Sequence, residues 1–152
     1  MPLDPTVIGT QLPPTTMTVD AGRLRFFATA IGETNPIFTD RDAAAAAGHA
    51  NLPVPPTFLF GIELESPDPF AWLAELGIDL RRILHGEQSF TYHSTAVAGE
   101  VLTAAPTISD VYSKKGGALQ FIEKSSLVTR ADGDLVAELK TVIVVRNPEG
   151  GK

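Results

Sequence analysis

Cysteine is absent from the 152 residues. That excludes disulfides, thiolate metal sites and a cysteine nucleophile. It suits a reducing compartment, so a cytoplasmic setting is expected. Positive charge is scarce: 12 Lys+Arg against 18 Asp+Glu leave a formal net charge of −6. The adjacent basic pairs are Arg81-Arg82 and Lys114-Lys115, which do not make the basic stripe of a nucleic-acid binder. No run approaches the ~20 apolar residues of a membrane span. Residues 1–14 lack a basic region followed by an apolar core, so no signal peptide is expected. The three histidines have no close acidic–His spacing, which argues against a zinc site. Internal repeats are lacking too.

What is present is one domain's worth of chain, long enough to bury its own core. Residues 1–14 are rich in proline and read as an irregular arm, residues 15–147 as a single domain, and residues 148–152 as a flexible tail. The β-branched run 15–19 reads as a strand. Asp20 can cap a helix over 21–31, whose apolar face is Leu24, Phe27, Ala28 and Ile31 at i, i+3, i+4, i+7. Asp40 can cap a second helix over 41–47, stopped by Gly48. After Pro53, Pro55 and Pro56, the segment 57–64 is apolar almost all round and reads as a helix inside the core, capped by Thr57. Asp68-Pro69 reads as the start of a third helix reaching Leu76.

From residue 83 the pattern becomes strand-like. Four long segments, 83–93, 101–114, 118–129 and 135–146, are separated by turn residues, and the short links imply consecutive antiparallel neighbours. Strands in one block and helices in another indicate an α+β domain with an antiparallel sheet wrapped around a central helix. Alternation along 83–93 places Leu84, Phe90 and Tyr92 toward that helix and His85 and His93 on the outer face.

Two elements carry a family resemblance: Gly32-Glu33-Thr34-Asn35-Pro36-Ile37-Phe38-Thr39-Asp40, and Leu52-Pro53-Val54-Pro55-Pro56-Thr57-Phe58-Leu59 with Leu84-His85-Gly86-Glu87-Gln88 following. Together they resemble the MaoC-like hot-dog dehydratase and enoyl-CoA hydratase family, in its N-terminal dehydratase subgroup. The resemblance implies a hot-dog fold and hydro-lyase chemistry: reversible addition of water to a 2-enoyl thioester, giving the (3R)-hydroxyacyl thioester. That chemistry moves a proton at Cα and water at Cβ while an N–H polarises the thioester carbonyl. The family's Gly-Asp-x-Asn-Pro-x-His signature supplies an Asp and a His. Here those positions are Glu33 and Phe38; Asn35, Pro36 and Asp40 match.

Phenylalanine cannot transfer a proton, so half of the dyad is gone. The resemblance then implies the acyl-binding, catalytically degenerate partner of a MaoC-type subunit, as a homodimer or a heterodimer with a second hot-dog chain. The expected substrate is an acyl-CoA or acyl-carrier-protein thioester, with no separate cofactor, in fatty acid metabolism. Candidate catalytic residues are Glu33 and, as the spare histidine nearest the Asn-Pro loop, His49. Candidate substrate-binding residues are Asn35, Pro36, Phe38, Asp40, Pro56, Thr57 and Phe58. Bland readings stand beside these: Glu33 as a solvated turn carboxylate, Phe38 as core packing. Two alternatives remain open: a hot-dog acyl-CoA thioesterase using Glu63 or Glu65, and a non-catalytic acyl-thioester-binding protein.

Overall fold

A computed structural model describes residues 3–147; the tail at 148–152 lies outside the described residues. Strands β1 (Thr15–Thr18), β2 (Ile83–Tyr92), β3 (Val101–Lys114), β4 (Leu119–Arg130) and β5 (Leu135–Arg146) form one antiparallel sheet in the order β1-β3-β4-β5-β2. Helices α1 (Ala21–Ala30), α2 (Arg41–Ala46) and α3 (Ala71–Glu75) lie between β1 and β2 in sequence. So does a central 3-10 segment, Pro56–Glu65, which packs into the concave side of the sheet. This is the expected α+β hot-dog architecture. No helix among the described residues is long and apolar enough to cross a membrane.

The Asp caps fall where the sequence places them. Asp20 accepts from the N–H of Arg23, and Asp40 from those of Asp42 and Ala43, satisfying N–H groups that a helix start leaves unpaired. Leu24 and Ala28 are buried, and Phe27 packs against the core. Ile31, expected on the same face, is half exposed because α1 ends one residue before it. The arm carries local structure. It holds a 3-10 turn, Pro5–Val7, and runs beside β3, where Gly9 N–H and Leu12 N–H donate to Ile108 and Pro106.

Four expectations are corrected. The central segment is a helix, of the 3-10 kind, but it is preceded by Pro55 and has no side-chain cap. Thr57 is exposed and caps nothing. At three residues per turn Leu59 and Ile62 share one side, with Phe58 buried beside them. Leu64 lies outside, 45% exposed, so the segment buries one face rather than its whole circumference. Second, Asp68 does not cap α3. That helix begins at Ala71 after Phe70, and Asp68 contributes only its carbonyl, to Ala71 N–H.

Third, β2 and β3 are not neighbours. β2 pairs with β5 at one edge, while β3 lies between β1 and β4. The link between them crosses the end of the sheet. Ala96 accepts from Val54 N–H, Ala98 N–H donates to Leu52, and Gly99 N–H donates to Val19. Ala96 and Ala98 are buried there, so the crossing is tied to the chain on both sides of α1 and α2.

Fourth, β2 changes phase. A bulge between His85 and Glu87 breaks the alternation. Ile83 and His85 face inward before it; Gln88, Phe90 and Tyr92 face inward after it, opposite Thr141, Leu139 and Ala137 of β5. His85 therefore packs its ring on Phe60, 5.2 Å between centroids, and Leu84 is 50% exposed. His93 does sit on the outer face, its Nε2 2.7 Å from Glu138. Gly86 makes the bulge possible: a Cβ there would lie 2.8 Å from Val144 Cγ2 and 3.2 Å from Val142 O. The β3–β4 turn has a different need, three successive positive φ values at Lys115, Gly116 and Gly117, two of them at residues without a Cβ to clash.

The core is divided. One cluster gathers Met17, Leu24, Leu52, Phe58, Ile62, Val128 and Leu139; the other gathers Trp72, Leu73, Ile78, Ile108, Ile122, Ile143 and Val145. Gly86→Ala is expected to destabilise the fold by roughly 1–3 kcal/mol, the usual range for overpacking. Urea unfolding checks this; a midpoint equal to wild type would mean that Val144 moves aside freely.

Candidate functional site

The Asn-Pro loop follows directly from the end of α1. Gly32, at φ 73°, turns the chain, and Glu33 N–H donates back to Ala28 O at 2.9 Å. Glu33 Oε1 then accepts from Asn35 N–H at 2.9 Å, and Asn35 Oδ1 from Ile37 N–H at 3.2 Å. Pro36 opens a 3-10 turn, Pro36–Phe38, where its missing N–H costs nothing. Arg25 Nε holds Thr39 O at 3.0 Å, and Asp40 caps α2. The carboxylate and amide of the loop are thus engaged with their own backbone. Phe38 is half-buried, while Asn35 and Pro36 are exposed.

The other sequence candidates scatter. His49 donates its backbone N–H to Ala44 O at 3.0 Å, and no hydrogen bond among the described residues joins its ring to Glu33. Phe58 is buried edge-on against Phe27, centroids 5.4 Å apart, so it is core rather than cleft wall. Pro56 does line a cleft of about 260 Å³, shared with Leu59, Tyr92, Ser94 and Thr95 at the end of β2. Of the two thioesterase candidates, Glu65 is bound by Arg23 at 2.6 Å. That hydrogen bond holds its carboxyl below the ordinary Glu range.

Glu63 has the more consequential partners. Lys124 Nζ donates to its Oε2 and Ser126 Oγ to its Oε1, which ties the central segment to β4. Both side chains of the ion pair are largely shielded, 18% exposed for Glu63 and 13% for Lys124. The ammonium also lies 5.6 Å from the centre of the Trp72 ring, a favourable cation–π distance. On the neighbouring strands Thr141 Oγ1 donates to Gln88 Oε1 at 2.7 Å. Cross-strand register aligns Gln88, Thr141 and Lys124. A polar row therefore crosses the inner face of the sheet between the two apolar clusters. Beside it opens a cleft of about 300 Å³ walled chiefly by apolar side chains.

The sequence reading missed Lys124, Ser126, Gln88 and Thr141. A signal existed: alternation along β4 sets Lys124 and Ser126 in register with Ile122 and Val128, and a charge at such a position demands a partner. The partner lies 61 residues away, beyond any local pattern. Lys124→Ala leaves Glu63 without its counter-ion and is expected to cost about 3 kcal/mol or more. Replacing the pair together, Glu63→Leu with Lys124→Met, is expected to stay within about 1 kcal/mol of wild type. Chemical denaturation of both variants checks the contrast, which equal losses would contradict.

The family model described as "FAS1-like, dehydratase domain region" matches residues 6–139. A UPF0336 protein of Leifsonia xyli is 39% identical over 150 residues, covering 98% of this chain and 99% of that one. A UPF0336 protein of Streptomyces coelicolor is 35% identical over 150 residues, at 98% and 99% coverage. Among solved structures, the C-terminally truncated HadBC (3R-hydroxyacyl-ACP dehydratase) complex of Mycobacterium tuberculosis aligns with a TM-score of 0.77 and 26% identity, over 94% of this chain and 99% of the matched one. The ChsH1-ChsH2 complex of the same organism aligns with a TM-score of 0.73 at 24% identity, over 92% and 90%.

Proposed function

This chain belongs to the FAS1-like dehydratase-region family, and on that premise we propose that it is the acyl-binding, catalytically degenerate subunit of an (R)-specific 2-enoyl-thioester hydratase or (3R)-hydroxyacyl-thioester dehydratase of the MaoC-like type. Phe38 carries the proposal. In the loop where the resembled signature has its His, this chain presents a half-buried aromatic ring. Glu33, the remaining carboxylate, is turned onto Asn35 N–H. The reaction needs a proton moved at Cα and water placed at Cβ; Glu33 could move the proton, but Phe38 offers no second group to position the water. A second hot-dog chain with the intact Asp and His supplies them. The substrate is an acyl group held as a CoA or carrier-protein thioester, the thioester being part of the substrate rather than a bound cofactor. The cysteine-free composition fits a cytoplasmic setting.

Assembly of this kind is supported by two features of the fold. β2 has β5 on one side and, among the described residues, no strand on the other, and such an edge can pair with another chain. Leu64, Phe70, Leu80, Leu84 and Tyr92, which lie on β2 or in the segments just before it, are exposed large apolar residues. A thioesterase is the weaker alternative, because Glu63 and Glu65 are both committed to cations.

Two outcomes follow. By light scattering the purified protein is expected at twice the chain mass or more, alone or with its partner; a monomer mass in every mixture and at every concentration would contradict the open-edge assembly. In crotonyl-CoA hydration the chain alone is expected to be weak or inactive, with turnover appearing when a subunit bearing the intact dyad is added. Phe38→His should raise the activity of the isolated chain toward the roughly 10²–10⁴-fold that a positioned acid–base group contributes. Glu33→Gln added to Phe38→His should abolish that gain while keeping the acceptor for Asn35 N–H. Robust turnover by wild type alone, unchanged by Glu33→Gln, would place the chemistry elsewhere.

A further inference from the structure

The cleft beside the central segment has an unusual floor. Its walls are apolar: Phe60, Leu64, Phe70, Trp72, Leu84 and Ile143. His85 packs at a tilt against Phe60 along one side. Its base is the polar row, with Glu63, Lys124 and Thr141 all lining it. A second, smaller cleft of about 80 Å³ lies on the far side, and Glu63, Pro69, Trp72 and Lys124 line both. The ion pair is therefore a partition. It separates the apolar cleft on the β2 side of the central segment from a more polar one toward the arm and β3, whose lining includes Ser66, Asp68 and Glu75.

An apolar tail entering from the β2 side meets charge instead of a hydrocarbon end wall. Desolvating the pair against a methyl group is unfavourable. An oxygen in its place can take a hydrogen bond: an ammonium has three N–H donors, and one of Lys124's goes to Glu63. The sign of the ligand's own charge is also decided here. Glu63 and Lys124 together are neutral, so a carboxylate ending beside them gains no net attraction to offset the cost of leaving water. A hydroxyl or keto oxygen carries no charge and costs far less to desolvate.

We propose that this cleft is a binding site for the tail of a short, uncharged acyl chain that ends in a hydroxyl or keto oxygen, with Lys124 as the donor that recognises that oxygen and the Glu63–Lys124 pair as the stop that sets chain length. A cleft of about 300 Å³ sits at the small end of ligand pockets, which fits a short chain. The identity of the ligand's head rests on the acyl-thioester reading above; tail recognition does not.

The molecule carries its own reporter. Trp72 is the single tryptophan, and its ring lies against the Lys124 ammonium in the cleft wall. The test is a titration of tryptophan fluorescence in the full-length protein, alone and with its partner subunit. The probes are the N-methylamides of octanoate, 8-hydroxyoctanoate, 8-oxononanoate and octanedioate (the last keeping one free carboxylate), and the matching CoA thioesters. Expected for wild type is saturable quenching, with the hydroxy and oxo tails bound about tenfold or more tighter than octanoate, the range of a hydrogen bond to a charged donor. The carboxylate tail is expected to be weakest. Glu63→Leu with Lys124→Met should reverse the order, favouring octanoate and admitting longer unsubstituted tails.

Octanoate binding as tightly as its oxygenated counterparts in wild type overturns the proposal, with or without a folded double variant. So does an unchanged Trp72 signal at saturating ligand. The amides keep this apart from the functional reading. Tail selectivity in the amides without thioester hydration by any complex upholds the cleft and removes the hydratase role. Hydration without tail selectivity does the reverse.

Discussion

The fold depends on how a charged side chain is accommodated between the central segment and the sheet. Glu63 comes from a 3-10 segment of high apolar content, and Lys124 from the inward row of β4. Either alone would be a charge in a largely shielded place, which costs several kcal/mol after relaxation. Paired, and with Ser126 donating to the second carboxylate oxygen, they become a pin. Such a pin contributes little net stability compared with a hydrocarbon contact. What it fixes is register: the carboxylate meets both donors only when the segment lies at one height along β4.

That height explains the divided core. On one side of the polar row, Phe58, Leu59 and Ile62 from the segment reach Val128, Ala137 and Leu139. On the other, Trp72 and Leu73 of α3 reach Ile122, Ile143 and Val145. A single continuous core would leave no place for the Glu63–Lys124 pair. With two clusters, the pair and its neighbours Thr141 and Gln88 form a seam, and the seam is where clefts open. The bulge at Gly86 belongs to the same arrangement, since it brings Gln88 rather than Glu87 to face Thr141.

The Asn-Pro loop shows the opposite economy. Its motif was legible in the sequence because a turn built from Gly, Asn, Pro and a capping Asp is local: each of Glu33, Asn35 and Asp40 satisfies a backbone N–H within three residues. The loss of the histidine at Phe38 was equally plain. What could not be read was that the loop's carboxylate is occupied by its own turn, or that the other candidates stand apart. His49 belongs to the end of α2, Phe58 to the core, and Thr57 to the exposed side of the segment. Residue type and spacing do not report which face a 3-10 turn presents.

The amino-acid order by itself determined the elements whose cause is local. These are the capped helices after Asp20 and Asp40, the hairpins β3–β4 and β4–β5 with their glycine turns, and the alternation that puts one side of β5 indoors. The tertiary structure decided what depends on partners distant in the chain. It placed β2 beside β5, because the link through Ala96 and Ala98 is bound to Leu52, Val54 and Val19 rather than folded as a hairpin. It turned His85 inward, because the bulge at Gly86, where a missing Cβ avoids Val144, reverses the alternation of β2. And it joined Glu63 to Lys124, since burial makes a charge seek its counter-ion wherever the fold delivers one, at a sequence distance to which no local pattern extends.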